Sequence, residues 1–201
     1  MKHLSIFLLL ACHVVANAQI TTITPGSKAP FFELKNVTGK NVSFESFNSA
    51  KGYIVIFTCN TCPVAKAYEQ RIIDLNTKYA PLGFPVIAIN PNDPSISSGD
   101  SYEKMVERAK EKGYAFPYLY DADQKVTNAY GAKSTPHIFL VKRTDQEKTI
   151  VYTGAIDNDP ENEKQDKTRY LEQAIDAVTG EKAPEVAVTK AIGCTVRRKS
   201  K

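Results

Sequence analysis

The run Tyr53-Ile54-Val55-Ile56-Phe57 is apolar at every position, and each residue is β-branched or aromatic. A strand with one wet face alternates apolar and polar residues, so a continuous run of this kind belongs to a strand covered on both sides. After one intervening residue it leads into Cys59-Asn60-Thr61-Cys62-Pro63. From there Val64, Tyr68, Ile72, Leu75 and Tyr79 recur at helical spacing. Proline suits the first helical turn, where its missing N–H would be unpaired anyway. Two cysteines are thus expected where a core strand turns into a helix.

The remaining segments follow the same logic. Residues 31–47, FFELKNVTGKNVSFESF, alternate around Thr38-Gly39 and read as a hairpin. FPVIAIN (84–90) is a second buried strand, followed by the loop PNDPSISSGD. Asp100-Ser101-Tyr102-Glu103 reads as a capping pattern for a helix ending near Gly113. FPYLYD gives a short strand, VTNAY a turn or two of helix before Gly131, and HIFLV (137–141) and TIVYTG (149–154) two strands flanking a polar turn. A last helix carries Tyr170, Leu171, Ala174, Ile175 and Val178 on one face and stops at Gly180. This order predicts an α/β sandwich with parallel inner strands and an antiparallel edge. Residues 181–201 lack periodicity and are expected to form a polar tail.

At 201 residues the chain has the size of one domain with a sizeable core. No internal apolar run is long enough to span a membrane. The first residues differ from the rest: Lys2, the apolar stretch Leu4–Cys12 and Ala16-Asn17-Ala18 have the layout of a secretory signal over residues 1–18. Export across an inner membrane, with a periplasmic destination, is the expectation. The alternative is a lipid anchor through Cys12, against which the apolar segment is short. Loss of Lys2 with the signal takes the net charge from +4 to +3, with much of the excess in the closing VRRKSK. That cluster reads as a solvated tail; nucleic-acid binding needs a basic face on the folded domain.

Three cysteines then remain, Cys59, Cys62 and Cys194. An odd number with two in one turn makes a poor structural framework, since a bridge across so short a loop constrains little of the unfolded chain. At a helix start, backbone N–H groups and the helix dipole favour a thiolate. Cys59 is expected to feel both and attack, while Cys62, further into the helix and better covered, resolves. A copper- or zinc-binding module using Cys59, Cys62, His137 and Cys194 is conceivable, although no second ligand pair has a zinc-site spacing. A redox role also asks for a loop that holds an extended substrate beside the disulfide. Ser134-Thr135-Pro136, ahead of HIFLV, can supply a cis-proline turn.

With these features in place, the chain resembles the thioredoxin superfamily. Within it the opening GSKAPFFEL, the FP…D…YG…TP series and the closing Ile192-Gly193-Cys194 are similar to the peroxiredoxin-like branch, the AhpC/TSA-type redoxins and extracytoplasmic thiol–disulfide oxidoreductases. The resemblance spans about residues 25–180. It implies a thioredoxin-like three-layer α/β/α sandwich with a mixed central sheet and an N-terminal β-hairpin. It also implies Cys59 as nucleophile, Cys62 as resolving cysteine, a redox-active Cys59–Cys62 disulfide in place of any cofactor, and Thr135-Pro136 as the substrate-binding loop. Partners would be protein or small-molecule thiols and disulfides and an electron donor or acceptor protein.

The sequence departs from the pattern in places. Thr58 stands where thioredoxin has Trp, and Tyr53 where it has a buried Asp. Val55-Ile56-Phe57-Thr58 lacks the proline that peroxiredoxins place before their cysteine, so peroxidase chemistry is the runner-up to thiol–disulfide exchange. His137 reads either as a hydrogen-bonded strand residue or as an imidazolium that favours the Cys59 thiolate. Cys194 is either a spectator thiol or a third redox partner that folds back. Asp121-Ala122-Asp123 and Asp157-Asn158-Asp159 lack calcium-loop spacing and read as solvated turns.

Overall fold

In the computed structural model, which describes residues 20–199, the chain passes through β1 (Glu33–Asn36), β2 (Asn41–Ser43), β3 (Gly52–Phe57) and α1 (Pro63–Tyr79). It continues through β4 (Val86–Asn90), α2 (Tyr102–Lys112), β5 (Tyr118–Tyr120) and α3 (Lys125–Tyr130). Then come β6 (Ser134–Thr135), β7 (His137–Arg143), β8 (Lys148–Gly154), α4 (Tyr170–Thr179) and β9 (Cys194–Thr195). The expected signal segment and Cys12 lie outside the described residues.

Among the described residues, seven strands form one mixed sheet in the order β2-β1-β5-β4-β3-β7-β8. The inner pairs β3–β4 and β4–β5 are parallel, as helical crossovers require, and β7 and β8 close one side antiparallel. The hairpin closes the other side, because Lys35 and Asn36 pair with Tyr120 and Leu119 of β5. Its tight turn uses Gly39 at φ +84°, a conformation that side chains with a Cβ resist.

Alternation along β3 assigns its side chains to two layers. Ile54 and Ile56 face Tyr68, Ile72 and Leu75 of α1, Met105 of α2 and Ile175 of α4. Tyr53, Val55 and Phe57 face the opposite layer, with Phe44, Val126 and Tyr130. Each buried side chain of this size stabilises the fold by about 1.5–3 kcal/mol relative to exposure. The result is the thioredoxin-like α/β arrangement, with helices about a mixed sheet.

Two expectations need correction. Residues 181–190 are mostly exposed, but the segment after them is not a solvated tail. There β9 pairs with β6, Val196 is buried, and the Val196 N–H donates to the Lys133 carbonyl at 3.0 Å. Its hydrogen bonds are made with a partner far away in the chain, which local periodicity cannot report. The two acidic turns are not merely solvated either. Asp121 is buried and accepts from the Thr127 N–H at 2.7 Å, fixing the start of α3. Asp157 is buried against Tyr68 and Arg71 of α1.

Candidate active site

The end of β3 delivers the cysteines. Thr58 is buried and its N–H donates to the Ile89 carbonyl at 2.9 Å, so the β3–β4 ladder runs one residue past Phe57. The chain then bends, and Cys62 becomes the residue that caps α1, its sulfur accepting from the Ala65 N–H at 3.5 Å. Cys59 therefore precedes the helix rather than lying in its first turn. The expected difference in cover is also missing, since Cys59 is 4% and Cys62 3% exposed.

The bend is held by Asp100, which the sequence places in a helix cap and not beside the cysteines. The Asn60 N–H donates to Asp100 Oδ1 at 2.7 Å, and the Thr61 hydroxyl to Asp100 Oδ2 at 2.6 Å. The same buried carboxylate receives Ser97 Oγ at 2.7 Å and Asn92 Nδ2 at 2.8 Å. Asn60 Nδ2 donates to the Gly99 carbonyl at 2.8 Å, and Tyr118 Oη donates to Asn60 Oδ1 at 3.0 Å. From sequence Asp100 reads as part of the α2 cap. Ser101 performs that task instead, accepting the Lys104 N–H at 3.3 Å, which leaves Asp100 free to face the cysteine loop. An acid beside a serine capable of capping was the available signal.

Thr135-Pro136 meets the cysteines from the other side, through a cis peptide bond. Thr135 is fully buried. Its hydroxyl lies 3.2 Å from the Cys59 sulfur, and its carbonyl oxygen 3.2 Å from the Cys62 sulfur. Both sulfurs thus converge on one residue of the turn.

The disulfide differs from the expected one. It joins Cys62 to Cys194, with Cα atoms 5.9 Å apart, while Cys59 is a buried free thiol. That separation lies within the normal reach of a disulfide. Pairing of β9 with β6 places Cys194 directly opposite Thr135 and so against Cys62. The expected Cys59–Cys62 bridge is not the one present in this state.

Cys59 is also not the readily ionised sulfur that its place in the sequence predicts. Burial pushes its pKa up, and the nearby Asp100 carboxylate pushes it further. The Thr135 hydroxyl and the N–H groups of Cys62 and Thr61 oppose these effects without cancelling them. The local donors favour a thiolate, as expected of a strand-to-helix bend, but the cover over them wins.

His137 does not supply the missing cation. It is buried; its Nδ1 accepts the Lys133 N–H at 3.3 Å, and Nε2 meets Thr153 Oγ1 at 3.2 Å. A neutral ring with its proton on Nε2 satisfies both contacts. Burial and then the Lys133 charge lower its pKa to about 4, so the proposed imidazolium is absent at neutral pH. The set Cys59, Cys62, His137 and Cys194 does not form a donor cluster in this state, because two sulfurs are in a disulfide and both His137 nitrogens are engaged. Among the described residues no group of three or more His, Cys, Asp or Glu side chains has a metal-holding arrangement. A cavity of about 410 Å³ between α1 and the acidic loop is lined by Arg71, Asp74, Lys78, Lys167 and Glu172 among others; none of its lining residues is a cysteine.

Comparison with known proteins gives the same frame. The AhpC/TSA family model matches residues 25–153. The thiol-disulfide oxidoreductase ResA of Geobacillus thermodenitrificans is 28% identical over 152 residues, which are 76% of this chain and 79% of that protein. A Mycobacterium tuberculosis protein named as a peroxiredoxin is 29% identical over 112 residues, 56% of this chain and 66% of that protein. Among solved structures, a hypothetical protein from Sinorhizobium meliloti 1021 matches with TM-score 0.82 and 32% identity, covering 90% of this chain and 98% of its own.

Proposed function

The chain belongs to the AhpC/TSA family, and from that footing we propose that it is an exported thiol–disulfide oxidoreductase acting through Cys59 and Cys62. The observation that carries this reading is the convergence of both sulfurs on Thr135, each at 3.2 Å, beside the cis-proline turn. A likeness to thiol-disulfide oxidoreductases by name supports it. Clients are protein or small-molecule thiols and disulfides, exchanged in turn with an electron donor or acceptor protein.

The chemistry balances within the two cysteines. The Cys59 thiolate attacks one sulfur of a client disulfide, forming a mixed disulfide and releasing one client thiolate, which takes up a proton. Cys62 then loses its proton and attacks the Cys59 sulfur. A Cys59–Cys62 disulfide forms, the second client thiolate leaves, and the client has gained two electrons and two protons. Run in reverse, the same steps oxidise a client dithiol. The chain's own groups serve each step: the Thr135 hydroxyl and the N–H groups of Thr61 and Cys62 steady the charge on Cys59, and the Asp100 network holds the loop geometry. Neither direction calls on an organic cofactor.

The test is single-turnover exchange between the fully reduced protein and a fluorogenic peptide disulfide. Cys59→Ser abolishes exchange, and Cys62→Ser accumulates a mixed disulfide at Cys59. Wild-type rates in Cys59→Ser would remove the proposal. A second reading, thiol peroxidase, rests on the relative named as a peroxiredoxin. In it Cys59 takes oxygen from a peroxide to give a sulfenic acid, and the thiol of Cys62 or Cys194 condenses with it, releasing water. Stopped-flow peroxide consumption by the reduced protein at a rate no better than free cysteine eliminates that reading. Fractionation of cells expressing the full chain tests export, with cytosolic retention of the uncleaved chain as the contrary result.

A further inference from the structure

The closing strand lies where an external segment would have to bind. Ser134 pairs with Thr195 and Thr135 with Cys194, antiparallel, along the edge of the turn that faces both active cysteines. Beyond the strand the fit continues. The Arg197 N–H donates to Asn92 Oδ1 at 2.9 Å, and its carbonyl accepts from the Asp93 N–H at 2.9 Å and from Gln124 Nε2 at 2.9 Å. The Lys199 N–H donates to Gln124 Oε1 at 3.0 Å. Upstream, Thr189 pins the chain to β8: its hydroxyl receives the Ala155 N–H at 2.9 Å and meets Tyr152 Oη at 2.7 Å. The docked segment therefore starts after a fixed point and ends in a row of satisfied backbone groups.

Gly193 sets the approach. A Cβ at this position would stand 2.1 Å from the Thr135 carbonyl oxygen and 2.9 Å from the Pro136 nitrogen. Both are backbone atoms, which cannot swing aside as a flexible side chain does. Only a residue without a Cβ lets the following cysteine come to Cys62 along this path.

We propose that the segment Gly193–Val196 is a tethered occupant of the client site, lying along Thr135 where a client strand lies, with Cys194 bonded to the resolving Cys62 while a client's cysteine bonds to the neighbouring Cys59. This deepens the oxidoreductase reading and rests on it. External clients are then extended polypeptide segments in which glycine precedes the reacting cysteine, and they bind by displacing the tail. Release is an internal exchange. The Cys59 thiolate attacks the Cys62 sulfur, the Cys59–Cys62 bond forms, and the Cys62–Cys194 bond breaks. The bond pair leaves on Cys194, which takes up a proton as its thiol. The number of disulfides is unchanged, so no outside oxidant is consumed. What results is a closed Cys59–Cys62 disulfide with a free strand. While docked, the tether competes with clients at an effective concentration of the order of millimolar.

Two readouts on the full chain test this: which cysteine iodoacetamide alkylates without reductant, and exchange of the reduced protein with two synthetic peptides. One peptide carries Ala-Ile-Gly-Cys-Thr-Val as a mixed disulfide with a chromophoric thiol, and the other replaces its glycine by alanine. Gly193→Val is expected to move the bridge from Cys62–Cys194 to Cys59–Cys62, so that Cys194 is alkylated in place of Cys59, and in the reduced protein to raise exchange with the glycine peptide about tenfold, as removal of a tethered competitor requires. The alanine peptide is expected to exchange about tenfold more slowly than the glycine peptide in every form, since its Cβ meets the Thr135 carbonyl. Should Gly193→Val fail to fold, Cys194→Ser unties the strand covalently and is expected to leave Cys59 bridged to Cys62 and protected from alkylation, and to raise exchange of the reduced protein in the same way. Equal alkylation and exchange across wild type and variants, or equal use of the two peptides, overturns the tethered occupant and leaves the oxidoreductase reading intact. Absence of exchange with either peptide in every form overturns both.

Discussion

Asp100 accepts the backbone N–H of Asn60 at 2.7 Å, and this bond joins the loop before α2 to the bend between the two cysteines. The carboxylate has no exposure and three further donors: Thr61 Oγ1, Ser97 Oγ and Asn92 Nδ2. Asp100→Asn keeps the size but replaces one acceptor oxygen with an NH₂ facing other donors. Hydrogen bonds to a buried charged group are costly to lose, and the variant is expected to be about 3 kcal/mol less stable. The same change removes a negative charge that raises the Cys59 pKa, so Cys59 should ionise more easily. Urea unfolding and ultraviolet titration of the thiolate report the two effects. A variant of wild-type stability would show that the network does not hold the bend.

Thr135 bears on the sulfur directly, its hydroxyl 3.2 Å from Cys59 Sγ. Once Cys59 ionises, that hydroxyl donates to the thiolate and favours it. Thr135→Val keeps the branched shape and removes the donor. A charge-assisted hydrogen bond contributes about 1.5–3 kcal/mol, so the thiolate fraction, and with it the rate of Cys59 alkylation by iodoacetamide in the reduced protein, is expected to fall about tenfold or more at neutral pH. The titration midpoint should rise correspondingly. An unchanged midpoint would mean that Thr135 only packs against the sulfur.

Much of the frame was legible because it is written in local periodicity. The unbroken run at β3, the helical spacing from Val64 to Tyr79 and the glycines that end helices each depend on near neighbours. They are strong signals. What local pattern does not carry is pairing at long range. The β6–β9 contact brings together residues such as Thr135 and Cys194, and a two-residue strand has no period of its own. From sequence Cys194 therefore stands as an unresolved alternative, and its bridge to Cys62 in this state is not foreseen. Asp100 was concealed for a related reason, since its neighbour Ser101 made a sufficient cap and the partners at Asn60 and Thr61 lie far back along the chain. The sign of the Cys59 pKa shift depends on cover by residues that only the fold assembles, so helix-start chemistry alone pointed the wrong way.

His137 makes a pH prediction of defined sign. Burial, then the Lys133 charge, hold its folded pKa near about 4, against an ordinary value of 6.5. A base depressed in this way takes up its proton in the unfolded chain first. The contribution of the neutral ring is therefore complete above pH 6.5 and is lost as pH falls from 6.5 toward 4. The loss amounts to about 3 kcal/mol at 1.36 kcal/mol per unit. In His137→Asn the Oδ1 atom can replace Nδ1 as acceptor for the Lys133 N–H, but the group does not titrate. The wild-type stability curve should fall more steeply than that of the variant across this window, as measured by denaturant unfolding at several pH values. The Cys59 titration should be the same in both, because a neutral ring lends no charge to the thiolate; a shifted Cys59 midpoint would restore the imidazolium role.

Arg71 offers a prediction away from the sulfur chemistry. Its Nη1 donates to Asp157 Oδ2 at 2.7 Å and to the Asp159 carbonyl at 2.6 Å, and its Nη2 donates to the Pro160 carbonyl at 2.9 Å. The guanidinium also lies 3.7 Å from the centre of the Tyr68 ring. One side chain thus fastens the acidic loop to α1. Arg71→Ala leaves the buried Asp157 carboxylate with Tyr68 and the Asp159 N–H alone, which is expected to cost about 3–5 kcal/mol. Arg71→Lys keeps the charge but has a point donor where a planar fork bound three oxygens, and about 2 kcal/mol is expected to be lost. Both variants should be cut faster by trypsin at Lys164 and Lys167, and alanine should have the larger effect. Equal cleavage of all three proteins would mean that the loop is held by its own turns, such as the Glu163 and Lys164 N–H groups bound to Asp159, without help from α1.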